Sequence, residues 1–201
     1  MSTIIENKSK DFVAHPEGQF IAIARDTYLK TRPNPFKGQQ RDRNDPSKGI
    51  DERDEITELV IEFLTDHEVE IDGKKMPGYV RYTATASVAE NSNLRKFVQG
   101  WFPGLKEENF KRFDADALVG KGAYITVSHN VDKKGNVWAN VKVAMQPPKT
   151  KDGQLATPLP VIPSDFVRKE ERDKREQEEA QVKAAADSIR NDEPDESPLP
   201  F

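Results

Sequence analysis

The sequence predicts a mainly β domain, a five-stranded barrel with a helix between its third and fourth strands, followed by a charged tail. Three observations predict it. Apolar residues alternate with period two in several segments bounded by turn signals, the stretch from Asn93 to Trp101 changes to helical spacing, and large apolar residues become sparse beyond Pro163. The 201 residues suffice for one ordinary core and an appendage, and are short for two cores. Hydrophobic residues are 35% and charged residues 33% of the chain, so some segment buries little.

Gln19 to Lys30 (QFIAIARDTYLK) follows a Pro-Glu-Gly turn signal, is rich in β-formers and reads as the first strand. The next stretch, TRPNPFKGQQRDRNDPSKGIDER, holds three prolines and two glycines without a strand period, which makes it a long loop. Glu55 to Asp66 sets Leu59, Ile61 and Phe63 on one face and Glu58 and Glu62 on the other. A helix competes on propensity, and the period of two favours a strand. Asp72-Gly73 marks a hairpin, after which GYVRYTATASVA turns Val80, Tyr82, Ala84, Ala86 and Val88 inward and Tyr79, Arg81, Thr83 and Thr85 outward.

From Asn93 to Trp101, Leu94, Phe97, Val98 and Trp101 form an apolar stripe that Ser92 or Asn93 can cap. A second short helix around Lys106 to Phe113 and a turn at FDADAL follow. The last two strands, AYITVSHN and VWANVKVAM, flank a turn at Lys133-Lys134-Gly135-Asn136, the second with Val137, Ala139, Val141, Val143 and Met145 inward. Three strands, a helix and two strands is the order of the OB fold, whose second and third strands and loops 1-2 and 4-5 bind oligonucleotides or oligosaccharides. The domain plan is an N-terminal arm (1–18), the barrel (19–146), an extended Pro-rich connector (147–163), a charged helix or linker (164–190) and an acidic tip (191–201).

The net charge of −4 divides unevenly. Residues 164–201 carry 12 acids and 7 bases, a net of −5, which leaves +1 for residues 1–163. A near-neutral body binds nucleic acid if its positive charge is concentrated. The first loop offers such a concentration: Lys30, Arg32, Lys37, Arg41, Arg43 and Lys48 stand against Asp42 and Asp45 between residues 30 and 49. Sequence-tolerant binding of single strands combines a basic track with aromatic platforms. The outward faces supply Tyr79 with Arg81, Tyr124, and Trp138 with Lys142, while Lys133 and Lys134 occupy the loop between the last two strands. The alternative for each is ordinary: a solvated loop, and aromatics that cover the barrel ends. Trp138, flanked by Lys142 and the lysine turn, favours base stacking, whereas Trp101, Phe97, Phe102, Phe110 and Phe113 cluster around the helix and favour packing.

Catalytic readings find little support. There is no cysteine, and His15, His67 and His129 are scattered without metal-ligand spacing. Asp114 and Asp116 suit capping at a helix start, and Gly120 and Gly122 lack the spacing of a phosphate loop. The expectation is therefore a protein that is not an enzyme and has no cofactor. With no signal-like N-terminus and no apolar run of about 20 residues, a soluble cytoplasmic protein without a membrane partner is expected. A homo-oligomer stays open.

The tip is the sharpest local signal. Asp192, Glu193, Asp195 and Glu196 precede Pro198, Leu199, Pro200 and Phe201, so a partner could take the terminal ring in an apolar pocket and the carboxylate on a basic residue.

The stretches RYTATASVAENSNLRKFVQGWF and FDADALVGKGAYITVSHNVDKKGNVWANVKVAMQPPK resemble a family of phage-encoded OB-fold single-stranded DNA-binding proteins, over roughly residues 18–149. The most specific pieces are SNLRKFVQGW (92–101) and GNVWANV (135–141), where relatives usually have Tyr for Trp138. The tip SPLPF resembles the acidic Pro-Phe ends of bacterial single-stranded DNA-binding proteins, whose terminal Phe docks replication and repair enzymes. T7-like phage counterparts also end in acidic residues and Phe. The tip here lacks an unbroken aspartate run, and residues 164–190 have no counterpart in the family pattern. The resemblance implies binding and protection of single-stranded DNA during phage replication or recombination, in the host cytoplasm, with partner enzymes recruited through the tip. The competing reading is an OB-fold interaction adaptor with weak or no DNA binding.

Overall fold

The structure is a computed structural model and describes residues 14–40, 49–71, 74–132 and 134–191. The chain divides into two compact units, the first reaching Ile162 and the second beginning at Pro163. In the first, β1 (Gly18–Pro33), β2 (Glu55–Ile71), β3 (Lys74–Thr85), β4 (Gly122–Val131) and β5 (Val137–Met145) close a barrel in the order β1-β2-β3-β5-β4. The helices α1 (Asn93–Trp101) and α2 (Glu107–Lys111) fall between β3 and β4, the arrangement expected for an OB-type barrel. Every ladder is antiparallel except β3 with β5, which run parallel and join at a single pair, Arg81 and Asn140. That junction is the thinnest seam of the barrel.

Alternation fills the interior as the sequence implies. Leu59, Ile61 and Phe63 from β2, Val80, Tyr82 and Ala84 from β3, and Ala123, Ile125 and Val127 from β4 are buried together. The N-terminus of α1 is capped by Ser92, whose hydroxyl accepts from the Arg95 backbone N–H at 3.2 Å. Its apolar stripe then plugs the core, where Phe97 stacks on Tyr82 with ring centroids 3.6 Å apart. Arg95 is buried beside this stripe. It bonds both oxygens of Glu107 and lies 4.7 Å over the Phe110 ring, tying α1 to α2. Asp114 acts locally, accepting from the Asp116 N–H at 3.0 Å, whereas Asp116 accepts from the Thr27 hydroxyl of β1 at 2.8 Å.

The interior face of β5 departs from the expected alternation. Val141 and Ala144 are buried, while Val137, Val143 and Met145 are exposed and Ala139 is partly buried. For Val143 and Met145 the cause is a bulge. Val127 pairs with Val141 and Thr126 with Val143, so Lys142 is the extra residue and the phase reverses beyond it. At the other end of the sheet, β3 stops at Thr85, so Ala86 is exposed rather than inward.

The connector is more compact than an extended tether. Lys149 bridges Leu155, and the Ala156 N–H donates to Pro148 O at 2.9 Å. Leu159 returns against β4, so close that a Cβ at Gly122 would stand 2.7 Å from it. Gly120, at φ +81°, makes the turn into β4 and donates to Ala24 O at 2.8 Å.

The three histidines, far apart in sequence, converge where residues 15–17 cross the barrel. His15 and His67 have ring centroids 5.2 Å apart, and His129 Nε2 lies 2.8 Å from the His15 carbonyl. His15 is buried, with Nδ1 3.0 Å from Pro16 O and Nε2 2.8 Å from the Thr65 hydroxyl. Burial holds its pKa below the ordinary 6.5; His67 and His129 act the same way, and the Pro16 carbonyl and Asp66 oppose it. The unfolded chain therefore takes up this proton at a higher pH than the folded one, so stability is full above about 6.5 and falls as pH drops below it. Urea midpoints should fall between pH 7.5 and 5.5. The slope should flatten in His15→Gln, and an unchanged slope would count against this assignment.

In the second unit α3 spans Lys169–Asn191, so the charged segment is helical. Glu170 and Glu171 complement the positive end of its first turn, and Lys169 pairs with Asp173 at 2.7 Å. Val182 is exposed, and no apolar stripe is present among its described side chains. No helix among the described residues is long and apolar enough to cross a membrane.

Candidate nucleic-acid interface

The β3–β5 seam gathers four of the residues singled out from sequence. With Arg81 paired to Asn140 in parallel register, Tyr79 and Trp138 each lie two residues earlier on the same outer face. Both rings are open to solvent, Tyr79 at 48% and Trp138 at 50% exposure. They point outward because Val80, Tyr82 and Val141 on the same strands point into the core. Lys142, the bulge residue, projects beside them and reaches Asn130 Oδ1 at 3.3 Å.

Each aromatic is held. Tyr79 lies between two guanidinium groups, Arg25 at 4.5 Å and Arg81 at 5.6 Å from its ring centroid. Both arginines bond Glu62, Arg25 at 3.0 Å and Arg81 at 2.7 Å, and the Tyr28 hydroxyl donates to it at 3.3 Å. Glu62 is only 1% exposed. Burial alone pushes its carboxyl upward, yet Arg81 and Arg25 together outweigh that and hold it below the usual carboxylate range. The cluster keeps two cations against one anion. Trp138 is steadied by Asp132, the hub of the β4–β5 turn, which accepts from the Lys134 N–H at 2.8 Å, the Asn136 N–H at 3.0 Å and the Trp138 indole N–H at 3.4 Å. The Asn136 side-chain NH2, which donates to Asp132 at 2.8 Å, leads these bonds in holding Asp132 below its ordinary pKa.

Beneath α1 the seam opens into a cleft of about 440 Å³, lined by Asn93, Lys96, Asn130, Asn140 and Lys142 among others and by no carboxylate. Neither Lys96 nor Lys142 has an acidic partner among the described residues. The sequence reading missed Lys96, Arg25 and the three asparagines. Lys96 falls off the apolar stripe of α1 and looks like ordinary solvation until the helix is seen to cross the seam.

The first loop is less basic in place than its sequence window suggests. Lys30 and Arg32 belong to β1, where Arg32 pairs with Glu58 at 2.7 Å, and Lys37 pairs with Asp54. The returning arm adds Asp51, Glu52, Asp54 and Glu55 against Arg53, so residues 30–55 hold seven bases and six acids. The described part is also ordered: Gln40 bridges Ile50, and Arg53 grips both oxygens of Asp51, holding it well below the usual range. Tyr124 stands apart, donating to Gln19 Oε1 at 2.7 Å and lying about 20 Å along β4 from the residue opposite Trp138. Lys134 is exposed on its turn. Arg41, Arg43, Lys48, Lys133 and the tip residues Asp192, Glu193, Asp195, Glu196, Pro200 and Phe201 lie outside the described residues.

No protein-family model matches the chain, and no curated protein is detectably similar to it.

Proposed function

We propose that this chain is a non-enzymatic protein that binds and protects single-stranded DNA along the β3–β5 face, with little sequence preference. The carrying observation is one outer strip that joins two exposed aromatic rings, Tyr79 and Trp138, to two lysines, Lys96 and Lys142, that have no acidic partner among the described residues. Stacked bases need only a π-face, so such a strip is tolerant of sequence, and lysine attracts the backbone. The resemblance of residues 92–101 and 135–141 to phage single-stranded DNA-binding proteins supports a role in phage replication, recombination or repair. In Trp101→Phe, where Trp138 is the only indole, saturating oligo-dT should quench the fluorescence. Unchanged emission at saturation would remove Trp138 from the interface.

The near-neutral first loop favours a second reading, an interaction adaptor that touches DNA weakly. A gel shift with labelled oligo-dT separates the two. In either reading the acidic tip recruits replication or recombination enzymes in the host cytoplasm, because Phe201 after an acidic cluster offers a ring and long-range steering together. Deleting Phe201 alone should abolish capture of such enzymes from infected lysate and leave DNA binding intact. Equal capture by full-length, Phe201-deleted and 191–201-deleted protein would make the tip a solubilising tail.

A further inference from the structure

We propose that the cleft beneath α1 takes one unpaired nucleobase and reads its Watson–Crick edge, which makes it the element that separates single strands from duplex. The proposal rests on the DNA-binding reading above and adds a second recognition element to the stacking strip.

The lining is chemically selective. Phosphate calls for donors alone, whereas this cleft presents amides that both give and accept. The hydrogen bonds already made fix which halves are available. Asn130 accepts from Lys142 Nζ through Oδ1 at 3.3 Å, so its NH2 is left to donate. Asn140 donates its NH2 to Trp138 O at 3.2 Å, so its Oδ1 is left to accept. Neighbouring strands thus offer one donor and one acceptor into a common space, which Asn93 of α1 also lines. The Tyr82 hydroxyl ties α1 to β3 there, donating to the Asn93 backbone carbonyl at 3.0 Å.

A base edge carries donors and acceptors side by side, and in a duplex the partner strand consumes them. Every base has such an edge, so one amide pair of each kind accepts any of them provided it is unpaired. The dimensions agree, since about 440 Å³ lies within the range of ~300–1,000 Å³ common to small-ligand sites. The position also agrees. Asn140 lies two residues beyond Trp138 on the same face, so a strand stacked on the indole can turn its next base into the cleft, with Lys96 and Lys142 left for the backbone.

The test compares three ligands of equal length: oligo-dT, an abasic strand with the same backbone, and duplex. Asn130→Ala/Asn140→Ala should bind oligo-dT about tenfold more weakly, the low end for one paired contact to a base edge. Its affinity for the abasic strand should not change, and its preference for oligo-dT over duplex should shrink by the same factor. Gly100→Leu gives an independent check by narrowing the cleft. A Cβ there would stand 3.5 Å from Ala144 O, an ordinary contact, and once a denaturation curve shows the variant folded, the same differential loss is expected. Equal losses on oligo-dT and the abasic strand, or no loss on either, would overturn base reading and leave the stacking strip standing. Failure of the unaltered protein to bind either strand would overturn the DNA-binding reading itself.

Discussion

Trp101→Ala is expected to destabilise the barrel by about 3–5 kcal/mol, the cost of emptying a large aromatic site in a close-packed core. The indole is fully buried, with Phe63 at 5.3 Å and Phe102 at 4.7 Å between ring centroids, and its N–H donates to Gly122 O at 2.8 Å. It therefore fills the end of the barrel and pins α1 to the start of β4. Small domains have only ~5–15 kcal/mol in total, so the variant should lie near its unfolding threshold. Chemical denaturation followed by circular dichroism measures the loss directly. A change below about 1 kcal/mol would mean that α1 is not the plug described here.

Tyr79→Ala/Trp138→Ala should weaken binding of oligo-dT by about 2–6 kcal/mol, taking ~1–3 kcal/mol for each base stacked on an aromatic ring. Both rings are half exposed and sit on the outer face, so the fold should hardly notice the change. The contrast with Trp101→Ala is the informative part: one indole belongs to stability and the other to binding. Fluorescence anisotropy of labelled oligo-dT, together with a denaturation curve for each variant, separates the two. Unaltered affinity in the double variant would remove the aromatic strip from the interface.

Alternation and helical spacing are enough to read the barrel, because Leu59, Ile61 and Phe63 on β2, Val80, Tyr82 and Ala84 on β3, and Ala123, Ile125 and Val127 on β4 hold the inner face, although β2 is buried on both faces from Glu58 to Thr65. β5 was misjudged beyond Val141 because a single extra residue, Lys142, reverses the phase, and nothing in VWANVKVAM marks a bulge. The pairing of Arg32 and Lys37 in the first loop is hidden from sequence for a different reason. Its basic run is visible, but the acids that answer it come after Gly49 and on β2, where only folding brings Glu58 to Arg32 and Asp54 to Lys37. Tyr79, Arg81, Trp138 and Lys142 were legible one by one as outward residues. Their meeting depends on the parallel seam between β3 and β5, a long-range pairing that local pattern does not encode. The histidine cluster is the same lesson: His15, His67 and His129 share no spacing, and closure of the barrel alone brings them together.

The central claim is that the β3–β5 face binds single strands by stacking and charge. Titrating oligo-dT and an equal-length duplex against the full chain over a series of salt concentrations tests it most directly. With about three to five phosphate contacts at ~0.7 each, log K should fall against log salt with a slope of about −2 to −4 for the single strand, and the duplex should bind more weakly throughout. Duplex bound as tightly as oligo-dT, or an affinity indifferent to salt, would contradict the account.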